Sequence, residues 1–176
     1  MFAVVEFEVF VLMSMTLRLR LLQKSGLLQS RLAAHGLSLD DGHRISKIVA
    51  EALGDDASFF DNLKGKLSIA GRDPASLEFE SVLWPGFVFR ADLTGEARYH
   101  YVGQPIPTTS LRDLKVWSVD VDEFDRRYGP LALGRKWPIF DEHLSANVEC
   151  EFEYDERTYG AGFSWGLFLF AAQNWE

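Results

Sequence analysis

Residues 148–173 read VECEFEYDERTYGAGFSWGLFLFAAQ. Val148, Cys150, Phe152 and Tyr154 alternate with Glu149, Glu151 and Glu153. A period of two over seven residues predicts a strand with one apolar and one carboxylate face. Asp155 or Glu156 falls where a turn belongs. The aromatic run that follows, broken by Gly160, Gly162 and Gly166, extends the prediction to two or three antiparallel strands, with the glycines at turns or bulges.

The same stretch contains GFSWG at 162–166, which fits the G-x-S-x-G pattern of serine-hydrolase nucleophiles. In such an elbow the serine sits on a sharp strand-to-helix turn, and an acid and a histidine follow later in the chain. Twelve residues follow Ser164, and they hold no histidine and a single acid, Glu176. The segment GLFLFAA reads as a buried strand as readily as a helix. No local feature selects a base among His35, His43, His100 and His143. No catalytic residue is therefore expected. A small hydrolase using Ser164 is the weaker alternative.

Working outward, LEFESVLW and FVFRADL flank Pro85-Gly86, a turn dipeptide, and ARYHY follows Thr94-Gly95; three strands are expected there. Further upstream, SLDDGHRISKIVAEALG sets Ile45, Ile48, Val49, Ala52 and Leu53 on one stripe at helical spacing. Asp40 and Asp41 stand at its start and Gly54 at its end. Ile48 and Val49 are expected to be buried. DDASFFDNLKG predicts a second helix, and SGLLQSRLAAHG a further helix or a turn. VDVDEFDRRYG predicts a short helix capped by Asp120, with Glu123 at capping-box spacing. At the N-terminus, VVEFEVFVL and TLRLRLL both alternate, which predicts an opening hairpin around Ser14 with acidic Glu6 and Glu8 facing basic Arg18 and Arg20. Met13 and Met15 are alternative starts, which leaves residues 1–14 open as an N-terminal extension. Helices toward the front and strands behind predict an α+β fold, a single domain over residues 1–176 with helices packed on one face of an antiparallel sheet.

Composition narrows the function classes. A chain of 176 residues with 14 Phe, 5 Trp and 5 Tyr is able to bury a substantial core. One cysteine, Cys150, allows neither an internal disulfide nor a cysteine-based zinc site, and on the apolar face it reads as a small core residue. The N-terminus lacks the basic flank of a signal peptide, and no stretch reaches the length of a membrane span; a cytoplasmic protein is expected. Net charge is −8, and it is uneven. Residues 1–72 hold nine basic against eight acidic side chains, and residues 73–176 hold nine against eighteen. This argues against direct nucleic-acid binding, which needs a cationic surface, and suits a basic protein partner.

Residues 137–156 contain seven acids and no Lys or Arg. Carboxylates two residues apart on a strand stand ~7 Å apart, close to the spacing of phosphates along a nucleic acid. Glu149, Glu151, Glu153 and Asp155, with Asp141 and Glu142, are the candidate partner-binding acids, and Trp137 beside them is the candidate anchor. A solvated strand face is the plain alternative. The second acidic group, Asp120, Asp122, Glu123 and Asp125, suggests hard-cation ligands, but no third partner lies at loop spacing and a helix start explains the acids. No metal and no cofactor are expected. His100, sharing a face with Arg98, is expected to find a cross-strand carboxylate.

KWPIFDEHL at 136–144 and RTYGAGFSWGLF at 157–168, together with size, acidity and an α+β pattern, resemble the immunity proteins of bacterial polymorphic-toxin systems, including those beside type VI secretion effectors. The resemblance implies a cytoplasmic protein that binds and blocks a cognate basic toxin, with a nuclease best suited to the acidity. A structural or phage-associated interaction protein is the alternative class.

Overall fold

The computed structural model describes residues 1–55, 57–69, 73–107, 109–136 and 147–173. Five helices come first: α1 (Val4–Ser14), α2 (Thr16–Leu21), α3 (Ser25–Ala33), α4 (Leu39–Leu53) and α5 (Phe59–Lys66). Strands β1 (Ser76–Glu80), β2 (Phe87–Asp92) and β3 (Ala97–Tyr101) form an antiparallel meander. Helix α6 (Val121–Tyr128) precedes β4 (Ala132–Lys136), β5 (Asn147–Tyr154), β6 (Arg157–Ser164) and β7 (Leu167–Gln173), a second antiparallel sheet in sequential order. The class is α+β, as expected, with the strands divided between two sheets rather than gathered in one.

The predicted N-terminal hairpin is overturned: residues 4–21 are helical. The physical reason lies in the surroundings of α1. Phe7 to Met13 are all buried, so the helix is covered on every side and shows no single apolar stripe. Its two carboxylates do not form a solvent face. Glu6 accepts a hydrogen bond from the backbone N–H of Ala3 at 2.7 Å and closes the helix start. Glu8 is wholly buried and accepts from the N–H groups of Val82 (2.8 Å) and Leu83 (2.9 Å), the Ser81 hydroxyl and the Tyr99 hydroxyl. One helix carboxylate thus organises the β1–β2 connection and touches β3. Phe2 adds a parallel bridge to Leu67.

Helix α4 packs along α1. Ser38 is its N-cap, earlier than expected: its Oγ accepts from the Asp41 N–H while the Asp41 carboxylate accepts from the Ser38 N–H. The Ser38 hydroxyl, donating to the Asp41 carboxylate at 2.7 Å, and then the Ser38 N–H, with Arg44 beside them, hold Asp41 at a pKa of about 2. Gly54, at φ 77°, ends the helix as expected. The buried line is Gly42, Val49 and Leu53, with Ile45 partly covered. Val49 is 1% exposed but Ile48 is 57% exposed, which corrects the expectation for Ile48. One step along a helix turns the side chain by 100°, so Ile48 falls at the solvent edge when Val49 points inward. Val49→Ala is expected to cost about 2 kcal/mol and Ile48→Ala under about 0.5 kcal/mol. Urea denaturation of the two variants checks this ordering.

Two cores result. The first joins α1–α5, β1–β3 and the start of β7, with Phe7, Phe89, Tyr99, Trp84 and Trp165 among its largest members. The second lies between α6 and the four-stranded sheet, where Phe124 packs against Phe152 (5.1 Å), Phe163 (5.4 Å) and Phe168 (5.3 Å). Asp120 caps α6 as predicted, accepting from the Glu123 N–H at 2.7 Å. The Glu123 carboxylate, expected at capping-box spacing, pairs instead with Arg126 and Arg127.

The β6–β7 turn links the cores. Trp165 and Gly166 occupy it with φ of 53° and 79°, a two-residue hairpin turn of primed type. The Trp165 carbonyl accepts from the Tyr99 N–H at 2.8 Å and its indole donates to Ser14 Oγ at 3.0 Å. The ring meets Phe7 edge-on at 6.1 Å. Strand β3, α1 and the second sheet converge on this turn.

Candidate protein-interaction surface

Strands β5 and β6 pair from Asn147↔Ser164 to Tyr154↔Arg157. Alternation sends Cys150 and Phe152 into the second core. Glu149, Glu151 and Glu153 project from the opposite face, across from Gly162, Gly160 and Thr158. Glu151, Glu153, Asp155 and Glu156 are exposed. Glu153 accepts from the hydroxyl of Thr158, its partner on β6, at 2.7 Å, which turns it across the strand pair.

The ladder is not uniform. Glu149 is half-buried, and its carboxylate lies 3.7 Å from the guanidinium of Arg18, a buried residue of α2. On its other side β4 places Arg135 opposite it. Glu149 therefore belongs to the packing of α2 on the sheet, and the available acidic surface is displaced toward the hairpin end. The expectation of three equivalent exposed glutamates holds for Glu151 and Glu153 and is corrected for Glu149. Trp137, Asp141 and Glu142 lie outside the described residues.

The hairpin end is a tight turn in which Asp155 and Glu156 both adopt positive φ, 49° and 61°. Asparagine or aspartate suits the first position and glycine the second. A glutamate in the left-handed region costs about 1 kcal/mol. The turn thus carries a fourth carboxylate at a position where glycine would relieve strain. Beside the ladder, Gly134, Arg135, Glu149, Glu151, Gly160 and Phe170 line a shallow trough of roughly 500 Å³. The Phe170 ring covers Gly162, where a Cβ would stand 2.2 Å from the ring. That contact explains the first glycine of G-x-S-x-G as a packing requirement.

The serine of that motif is wholly buried, in a strand that turns into another strand. A strand-to-helix elbow is not formed. Cys150 is buried, and burial first and Asp125 second push its thiol pKa up, away from the thiolate form that a nucleophile needs. The acids of 120–125 are engaged: Asp122 faces Arg98 at 3.4 Å, and Asp125 accepts from the Leu131 N–H at 2.8 Å. His100 stands between carboxylates, 3.5 Å from Glu96 and 3.6 Å from Asp122. The expected cross-strand carboxylate is corrected: Val88 stands across from His100 on β2, and the neighbouring carboxylates come from the β2–β3 connection and α6 instead. Burial lowers the His100 pKa, and Arg98 adds to the effect. Trp84, Trp117 and Trp165 are all buried core residues.

No family model, curated protein or solved structure matches the chain. Among the described residues no helix is long and apolar enough to cross a membrane.

Proposed function

We propose that this chain is a binding protein of the immunity type, which neutralises a basic protein toxin by docking it on the exposed end of the β5–β6 hairpin and has no catalytic role of its own. The observation that carries the reading is the clustering of Glu151, Glu153, Asp155 and Glu156 on one exposed hairpin end, with a strained glutamate kept at its turn. Strained positions gather at functional sites. Within 147–158, Arg157 is the only basic residue. Such a row raises the encounter rate with a cationic groove and orients it on approach. Carboxylates at β-strand spacing offer a nuclease groove the charge period of its own substrate, so a nuclease is the favoured toxin class. The buried Ser164 and the thiol of Cys150 support a role without catalysis.

The test is co-expression with basic nuclease toxin domains, those encoded beside this chain's gene first. Wild-type chain is expected to restore growth, and a chain carrying Glu151→Lys, Glu153→Lys and Glu156→Lys is expected to lose that protection while folding normally. Equal protection by both would remove the hairpin end from the interface. Glu149 is left unchanged because a lysine there would face Arg18.

A further inference from the structure

Asp120 is 5% exposed, and its two oxygens accept from the backbone N–H groups of Tyr101 (2.8 Å) and Glu123 (2.7 Å). Among the described residues no Lys, Arg or His nitrogen comes within 4.0 Å of it. Buried charges are ordinarily paired or bound to metal. The residues that approach this carboxylate are His100 from β3 and Asp122 from α6, and one ligand atom from each of the three lies within 4.8 Å of the others. The sequence presented the acids of 120–125 without a third partner; the fold supplies one from twenty residues upstream. We propose that His100, Asp120 and Asp122 bind a divalent transition-metal ion of the zinc class, which fastens β3 to the start of α6.

The chemistry of the donors supports this. Two carboxylates and one imidazole suit zinc, cobalt or nickel better than the all-oxygen shells of calcium and magnesium. Asp120 is fixed by its two N–H donors, as ligating carboxylates are. Asp122 is exposed, and it closes on the ion by giving up its 3.4 Å contact with Arg98, which keeps Glu96 as partner. The α6 dipole places roughly half a positive charge at this end, which two aspartates outweigh. Three protein ligands leave further positions for water.

The experiment is calorimetric titration of the full chain with zinc chloride, with imidazole nitrogen NMR on the same samples. Saturable binding of one ion is expected, weakened roughly tenfold or more by His100→Ala or by Asp122→Asn and unchanged by His43→Ala. In the wild-type chain zinc is expected to shift the His100 nitrogens and leave those of His35 and His43 in place, a readout that does not depend on the variants folding. Unchanged affinity in His100→Ala, unmoved His100 resonances, or the absence of saturable binding at millimolar zinc would each overturn the proposal.

Discussion

Glu8→Ala is expected to lower the free energy of unfolding by about 3–5 kcal/mol. The carboxylate is buried in α1 and takes four hydrogen bonds, from Ser81, Val82, Leu83 and Tyr99. Alanine removes the acceptor and leaves the N–H groups of Val82 and Leu83 facing apolar surroundings in the β1–β2 connection. Glu8→Gln keeps a carbonyl acceptor and is expected to lose about half as much or less. The two proteins are also expected to differ in their pH dependence. Burial, the largest influence, raises the pKa of Glu8 above its ordinary value of 4.5, against the lowering effect of its hydrogen bonds. A carboxyl with a raised folded-state pKa holds its proton more tightly when folded. Its contribution is fully present below the ordinary value and is lost as pH rises through the folded value. Wild-type protein should therefore gain stability relative to Glu8→Gln as pH falls through the window just above 4.5. Paired urea denaturation across that window reads the difference directly. Asp41 has the opposite sign, because its pKa is lowered to about 2: its contribution is present above its ordinary value of 3.8 and is lost as pH falls through about 2.

Gly166→Ala is expected to cost about 3 kcal/mol, combining left-handed backbone strain with a clash that the fold cannot easily relieve. The residue sits at φ 79°, and a Cβ would stand 2.7 Å from the Tyr99 carbonyl oxygen. That carbonyl belongs to β3, so the clash is with backbone rather than with a mobile side chain. Relief requires the β6–β7 turn to move away from β3. That movement would stretch the Tyr99–Trp165 hydrogen bond and loosen the ring contacts of Trp165 with Phe7 and Phe10. Gly26→Ala provides the contrast. Gly26 lies within α3, where a Cβ would meet nothing within 4 Å, and alanine there is expected to stabilise by roughly 0.5–1 kcal/mol. Thermal unfolding of the two variants should move in opposite directions.

The strands were legible where one face is buried and the other solvated. Leu77 and Phe79 alternate inward along β1, and Cys150 and Phe152 do so along β5, so period two was visible in the residues themselves. Helix α4 announced itself through an apolar stripe and a terminal glycine, and α6 through Asp120. Helix α1 was not legible as a helix. A segment buried all round has no stripe, and the short alternation around Glu6 and Glu8 imitates a strand. What separates the two readings is the set of donors to Glu8, which come from residues 81–83 and 99, far away in the chain. The same distance hid Arg18 beside Glu149 and His100 beside Asp122. The acidic hairpin end, by contrast, is a local feature: a turn at Asp155 or Glu156 followed from the pattern of β5, and the structure places both residues in it.

The most direct measurement is the association rate constant between this chain and a basic nuclease toxin domain that it protects against in co-expression, at low and at high ionic strength. Wild-type protein should be compared with the Glu151→Lys, Glu153→Lys, Glu156→Lys variant after their thermal unfolding has been shown to coincide. The expected result is association roughly 10- to 100-fold slower for the variant at low salt, with a salt dependence much flatter than that of wild type. Equal rates at low salt, or no binding by the wild-type chain, would contradict the assignment of the β5–β6 hairpin end as the docking surface for a basic toxin.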